Sequence, residues 1–455
     1  MLAVRALAHS PHGVKPLSEL IGSEGEIQNF GAYSLCNFIH FVDVGIPFVK
    51  VENYNEDGIQ WDSCRRITED VHQLLWKSKL RLNDVLLSMA GSIGVSTVVR
   101  DDVEANSNQA IAKIRLGKHE VTEDFLSCFF NSEVGRKQSL RVSNGGVQLN
   151  INLGEIGTLL IPTPSPELQR RLVAALDAAR GRRKKMLADA DALLAGLDGF
   201  VLDQLGLSLP PPDGRMVYAA RLRDARTRFD PDFHSPRFRT LRQKIEHGKH
   251  KPRTIKSLCD FIQSGFAAGG DDQTDDLSFG VPHIRPLNIS NTAELHFDGT
   301  KMVPRAAVEP GDFLQQGEVL FNNTNSTVWV GKSVVFNADR ECACSNHITR
   351  LRLAEKDDNP YFLAALLNAL RGLGYFGLLA TNFNNQAGVN ADTLQGVRLP
   401  WPDGRVQTTI AAEVARRRAE ARRLRADADT HWDQTKADFE AALLGSEPKA
   451  GKGGK

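Results

Sequence analysis

The sequence predicts a mixed α+β protein, two tandem copies of one α/β module, each followed by a long coiled-coil helix, in a pseudo-twofold arrangement. Three observations predict it: an internal repeat, apolar runs of strand length joined by glycine turns, and two proline-free stretches with apolar residues at seven-residue steps. At 455 residues the chain exceeds what one hydrophobic core usually organises. Apolar residues at 41% and charged residues at 24% are those of a folded globular chain.

The repeat is read by laying the chain against itself. Ile161-Pro162 pairs with Leu399-Pro400, Gln169 with Gln407, Ile151-Asn152 with Val389-Asn390, Leu172 with Ile410 and Asn108 with Asn346, all at a shift of 238 positions. Upstream the shift slips by loop-sized steps: Asp84 to Leu87 matches Glu318 to Phe321 at 234, and Pro47 matches Pro282 at 235. Within each copy the strand signals are strongest at Asp84 to Ser88 and Val95 to Val99, around the turn Gly91-Ser92-Ile93-Gly94. Their counterparts are Glu318 to Phe321 and Ser333 to Phe336.

The first long helix follows Pro162, Pro164 and Pro166, with Leu172, Ala179, Met186, Leu193 and Phe200 on one seam, and ends at Gly206 before Pro210 to Pro212. The second carries Ile410, Val414, Ala421, Leu424 and Ala428, then Trp432, Phe439 and Leu443. Its face, rich in Ala and Arg, needs a partner to bury its seam. The boundaries so read are 1–164 and 254–402 for the modules, 165–206 and 403–444 for the helices, 207–253 for a linker and 445–455 for a disordered tail. Helices of about 35 residues span on the order of 50 Å; packed antiparallel, they would hold the two modules about one turn of B-DNA apart or somewhat more.

The formal net charge of +1 excludes a protein that holds nucleic acid by overall positive charge and leaves local basic faces open. Six scattered cysteines and no signal peptide point to reduced thiols in a cytosol, and Cys342 and Cys344 read as buried thiols without a matching second pair for zinc. No apolar stretch approaches the ~20 residues of a membrane span.

Two catalytic signatures read as decoys. Gly331-Lys332-Ser333 ends like a phosphate-binding loop, but Thr327-Val328-Trp329-Val330 before it are bulky strand formers that cannot curl around a phosphate. Asp358-Asn359-Pro360-Tyr361-Phe362 is similar to an adenine-gripping motif but lacks its second proline, and reads as a helix N-terminus. The 12 histidines form no catalytic grouping, so the chain is expected to be no enzyme and to hold no metal or cofactor.

Three segments together resemble the specificity subunits of type I restriction-modification systems: Asn83 to Gly94, the polar loop Ser143 to Ile151, and Ile161-Pro162 through Pro166-Glu167-Leu168-Gln169-Arg170-Arg171-Leu172. The second half departs from the pattern, with Asn322 to Ser326 in place of the Gly-Ser-Ile-Gly turn and Gln386 to Asn390 as a looser polar loop. The resemblance implies two target-recognition domains reading the halves of a split site in double-stranded DNA. It also implies a prokaryotic cytoplasmic complex with two methyltransferase subunits, which bind S-adenosylmethionine and methylate adenine, and with a motor-nuclease subunit. A freestanding architectural or regulatory DNA binder and an enzyme with an unrecognised site are the alternatives.

Amide side chains in polar loops pair with base edges or phosphates, so Asn144, Gly145, Gly146 and Gln148, with Asn384, Asn385 and Gln386, are the first candidates for DNA contact. Ser88, Ser92, Asn53, Asn55, Asn323 and Ser326 are further candidates. Leu172, Met186 and Leu193, with Ile410, Val414 and Leu424, are the candidate partner-binding residues of the two helices. The basic runs from Arg180 to Lys185 and from Arg416 to Arg425 read as solvated flanks or phosphate contacts.

Overall fold

Leu86 and Leu87 lie side by side in a strand, so they point to opposite faces of the sheet, and both are fully buried. The sheet around them is therefore covered on both sides. The structure, a computed structural model, describes all residues except 1–6, 8–9, 118–119, 144–148, 210–216, 220–228, 230, 277, 279, 384–385 and 446–455. It divides into two units, Met1–Leu187 with Arg425–Lys455, and Ala188–Leu424. The two long helices, Pro166–Gln204 and Gly404–Leu444, each contribute one part to each unit.

In the first unit an antiparallel sheet runs in the order Glu26–Gln28, Ile111–Arg115, Val85–Ser88, Ser96–Val98. A second sheet runs Asn106–Ser107, Ile46–Val49, Arg65–Ile67, Phe41–Val42, its first pair parallel. A ribbon of Val14–Pro16 with Leu160–Pro162 leads into the long helix. Helix Glu123–Asn131 covers the first sheet with Phe125, Leu126, Phe129 and Phe130, all buried.

The second unit repeats that order strand for strand: Cys259–Ser264, Ile348–Leu353, Val319–Asn322, Ser333–Val335, all antiparallel. Its second sheet, Lys301–Val303, Val281–Ile284, Ala343–Cys344, again has one parallel pair, and its ribbon joins Pro252–Thr254 to Arg398–Pro400.

The repeat extends to buried polar contacts. Arg115 forks onto Asp84 through Nε at 2.8 Å and Nη2 at 2.9 Å. Glu318, at the place of Asp84, is forked at 2.9 and 3.0 Å by Arg350, which the strand pairing sets at the place of Lys113, while Arg352 stands at the place of Arg115. Burial pushes the Asp84 carboxyl up against the pull of Arg115. The Asn131 amide bridges the backbone of Ser96, and Asn368 bridges that of Ser333 in the same way.

One glutamine on the first turn of each long helix ties it to its module. Gln169 accepts from the Thr122 amide at 2.9 Å and donates to the carbonyls of Glu120 and Pro164. Gln407, fully buried, accepts from the Asn359 amide at 2.8 Å and donates to Asp358 Oδ1 and the Pro402 carbonyl. Truncating it orphans buried groups at about 1–3 kcal/mol each where water cannot enter. Gln407→Ala should therefore lower the stability of the second unit by about 2–4 kcal/mol in urea unfolding of the full chain; a loss below ~0.5 kcal/mol, the range of ordinary surface substitutions, would show that water replaces the amide.

The structure differs from sequence expectation in two places. The supposed linker holds a helix, Pro236–His247, capped by the Ser235 hydroxyl on the Phe238 amide and buried through Phe238, Leu241 and Ile245. The polar stretches Asn322–Ser326 and Gln386–Asn390, read as a turn and a loop, include the paired strands Thr324–Asn325 and Gln386–Gly388, because each satisfies the other's backbone and Thr381–Phe383 completes the sheet.

Candidate nucleic-acid interface

In each unit one edge gathers the turn after the central strand and the end of the polar loop. In the first, Ala90 bridges to Asn150 and the Ile151 amide donates to the Met89 carbonyl at 2.9 Å, so the turn bearing exposed Ser92 lies beside the exit of the polar loop. In the second, Thr324–Asn325 pairs with Gln386–Gly388 and the Val389 amide donates to the Asn323 carbonyl at 2.9 Å. Exposed Ser326 and Gln386 belong to that edge. Asn152 and Asn390, at the loop exits, cap the following short helices through the amides of Glu155 and Thr393. These caps fix where each loop ends. Asn144, Gly145, Gly146, Gln148, Asn384 and Asn385 lie outside the described residues.

Three candidates are corrected by burial. Asn53 is 4% exposed: its Oδ1 accepts from the Lys50 amide, and its Nδ2 donates to the Ser63 carbonyl and hydroxyl. Asn323, 7% exposed, donates to Asn346, Thr349 and Ser264. Ser88, fully buried, donates to the Ser92 carbonyl and accepts from the Val95 amide. Buried and hydrogen-bonded within the chain, their side chains shape the two edges from beneath. Asn55 is exposed, but its Oδ1 closes a turn onto the Asp57 amide at 2.8 Å.

The helix candidates divide likewise. Leu172, Ile410 and Val414 are buried in this chain's own cores, a correction to their reading as partner surface, since one apolar seam cannot be covered twice. Met186, Leu193 and Leu424 remain half-buried. A basic and aromatic patch escaped the sequence reading: Trp76 is 62% exposed, with Lys77 Nζ 5.4 Å from its ring and Lys79 next but one. Its signal is the run Trp-Lys-Ser-Lys.

Among the described residues, one group brings metal-ligand atoms together, Glu69, His72 and Glu104. His72 is 1% exposed, with Nδ1 2.5 Å from Asn106 Oδ1 and Nε2 2.9 Å from Glu104 Oε1. The counterpart of Glu104 in the second unit, Glu341, holds an ion pair with Arg305, so the place reads as a polar cross-link in both copies. Both decoys take the places expected of them. Ser333 begins a strand, and at Gly331, with φ +93°, a Cβ would stand 2.4 Å from the Phe376 ring. Asn359 caps helix Pro360–Gly372 through the amides of Tyr361 and Phe362. No helix of the described residues is long and apolar enough to cross a membrane.

No family model matches the chain. It is 26% identical over 133 residues to the type I restriction enzyme EcoBI specificity subunit of Escherichia coli, covering 29% of this chain and 28% of that protein. It is 23% identical over 164 residues to the putative type I restriction enzyme MjaX specificity subunit of Methanocaldococcus jannaschii, covering 35% of this chain and 37% of that protein. The match thus spans about a third of the length of these relatives. A solved chain, from a structure addressing complex assembly and conformational transition of the type I R-M system, aligns over 95% of this chain and 96% of its own length, with a TM-score of 0.54 at 16% identity. The HsdS subunit from Thermoanaerobacter tengcongensis aligns over 96% of this chain and 98% of its own, with a TM-score of 0.47 at 14% identity. Over about a third of its length the chain is thus similar in sequence to specificity subunits of type I restriction enzymes, and over nearly all of its length it shares the fold of a solved chain of such a system.

Proposed function

We propose that this chain is the DNA-addressing subunit of a type I restriction-modification complex, each of its two modules reading one half of a split duplex site. The observation that carries the reading is the edge built twice, a turn from the central strand beside the polar loop, at the same topological place in both units. Two edges on one chain suit a site with two halves. S-adenosylmethionine and the transfer of its methyl group to adenine belong to the methyltransferase partners, two per complex, and translocation and cleavage to a motor-nuclease. Met186, Leu193 and Leu424, with the exposed Trp76 patch, are the candidate contacts for those partners.

The test is to express the chain with the methyltransferase encoded beside it and map methylated adenines across a genome. A split motif with a fixed gap is expected. Gln386→Ala with Ser326→Ala should relax or weaken the half read by the second unit by roughly 10–100-fold, the worth of one good base contact, while the other half stays unchanged. A short continuous motif would mean that only one module reads DNA, and no new methylation would overturn the reading in favour of a freestanding binder.

A further inference from the structure

The internal repeat allows buried charges on the two long helices to be compared position by position. Arg180 and Arg418 are counterparts, at the repeat shift of 238 on the two long helices. In the first unit Arg180 has two carboxylates and a ring close by, although its Nε too makes no hydrogen bond. Its Nε lies 2.9 Å from Asp57 on a loop tip, its Nη1 2.6 Å from Asp177, and its guanidinium stands over the Trp432 ring at 5.6 Å.

In the second unit Arg418 makes none of these close contacts, although Glu294 and Asp198 attract it through space. Glu294, on the corresponding hairpin, pairs with Arg422. Position 415, counterpart of Asp177, is alanine, and Leu194 stands where the repeat places Trp432. The Nε atom of Arg418 is buried without a hydrogen-bond partner. So is that of Arg371, whose Nη1 donates to the Val328 carbonyl at 3.3 Å. Both arginines line one cavity of about 250 Å³, together with Leu194, Asp198, Asn291 and Thr292.

Buried guanidinium donors without acceptors are costly, and native proteins satisfy such groups with protein, water or a bound ion. Here two of them line one space, with the Asp198 carboxyl in its wall and Glu294 near Arg418 outside it. Burial pushes that Asp198 carboxyl up despite the pull of Arg371 and Arg418, which weakens its repulsion of a second anion. We propose that this cavity is a binding site for an oxyanion, a phosphate or carboxylate group, held between Arg371 and Arg418 in the second unit and absent from the first. The ion supplies an acceptor to the two unpartnered Nε atoms, and the residues that line the site belong to neither DNA-reading edge.

The full chain is melted in chloride buffer with increasing inorganic phosphate, with sodium acetate, and with sodium chloride at matched ionic strength. Phosphate or acetate is expected to raise Tm saturably, by about 3–5 °C at ten times Kd, beyond the chloride control. Arg418→Gln and Arg371→Gln should each abolish most of that rise. Leu194→Trp restores the first unit's aromatic, fills the cavity and should remove the response while Tm without phosphate holds or rises, which keeps the test valid if the arginine variants fold poorly. The same variants are assayed for binding of a nonspecific duplex at low salt. Unchanged duplex affinity assigns the site to a free small anion, and a parallel loss assigns it to a backbone phosphate. A rise no greater than chloride gives, or one that survives in Arg418→Gln and Leu194→Trp alike, overturns the proposal.

Discussion

Removing residues 425–455 is expected to unfold the first unit, although it touches none of that unit's strands. The end of the C-terminal helix is part of the first unit's core: Trp432, Phe439 and Leu443 are buried there among Phe125, Leu172 and Leu176. The Phe439 ring lies 6.0 Å from that of Phe125. Two more ties close the same corner, from the Ser10 hydroxyl to the Leu443 carbonyl at 2.7 Å and between the His12 ring and the Ala442 carbonyl at 2.8 Å. Losing a buried Phe, Trp or Leu costs about 2–5 kcal/mol each, so losing all three removes on the order of 8–12 kcal/mol, most of the margin of a typical domain. The truncated chain should show rapid proteolysis confined to residues 10–187 and lose one cooperative transition. Phe439→Ala alone should cost about 3–5 kcal/mol. Full protection of that segment after truncation would mean that the helix end is an ornament.

Replacing Arg350 with methionine is expected to cost the second unit about 3–5 kcal/mol, the penalty for breaking one side of a buried ion pair. Arg350 is 1% exposed and Glu318 is fully buried, so water cannot solvate the carboxylate once its fork partner is gone. Arg350 also donates to the carbonyls of Gly311 and Phe313, at 2.7 and 2.8 Å, and those would be orphaned with it. Arg352 keeps one contact to Glu318 at 2.6 Å, which limits the loss. Replacing both Arg350 and Glu318 with apolar residues should recover much of the stability. Urea unfolding checks both variants. A single substitution costing under 1 kcal/mol would show that the pair adds little, as is common for exposed pairs.

What the sequence by itself determined was whatever depends on local pattern or on self-similarity. The repeat was legible because the two copies match from the central strand to the long helix with slips of only a few residues. The strand Val85–Ser88 was legible as an unbroken apolar run, and the long helices as seven-residue steps entered through prolines and, for the first, left through Gly206. Helix Pro236–His247 was legible in principle, since Ser235 and Pro236 form a start signal and Phe238, Leu241 and Ile245 lie on one face. Only the tertiary structure decided which asparagines face solvent. Asn55 and Asn53 belong to one polar run, yet Asn53 is withdrawn by Ser63, ten positions on, and Asn323 by Thr349. It also decided that Leu172 and Ile410 are covered by this chain's own cores, because the period of an apolar seam is the same whatever covers it. A polar or apolar side chain takes its role from partners brought to it through space, and those distances are not written in the spacing along the chain.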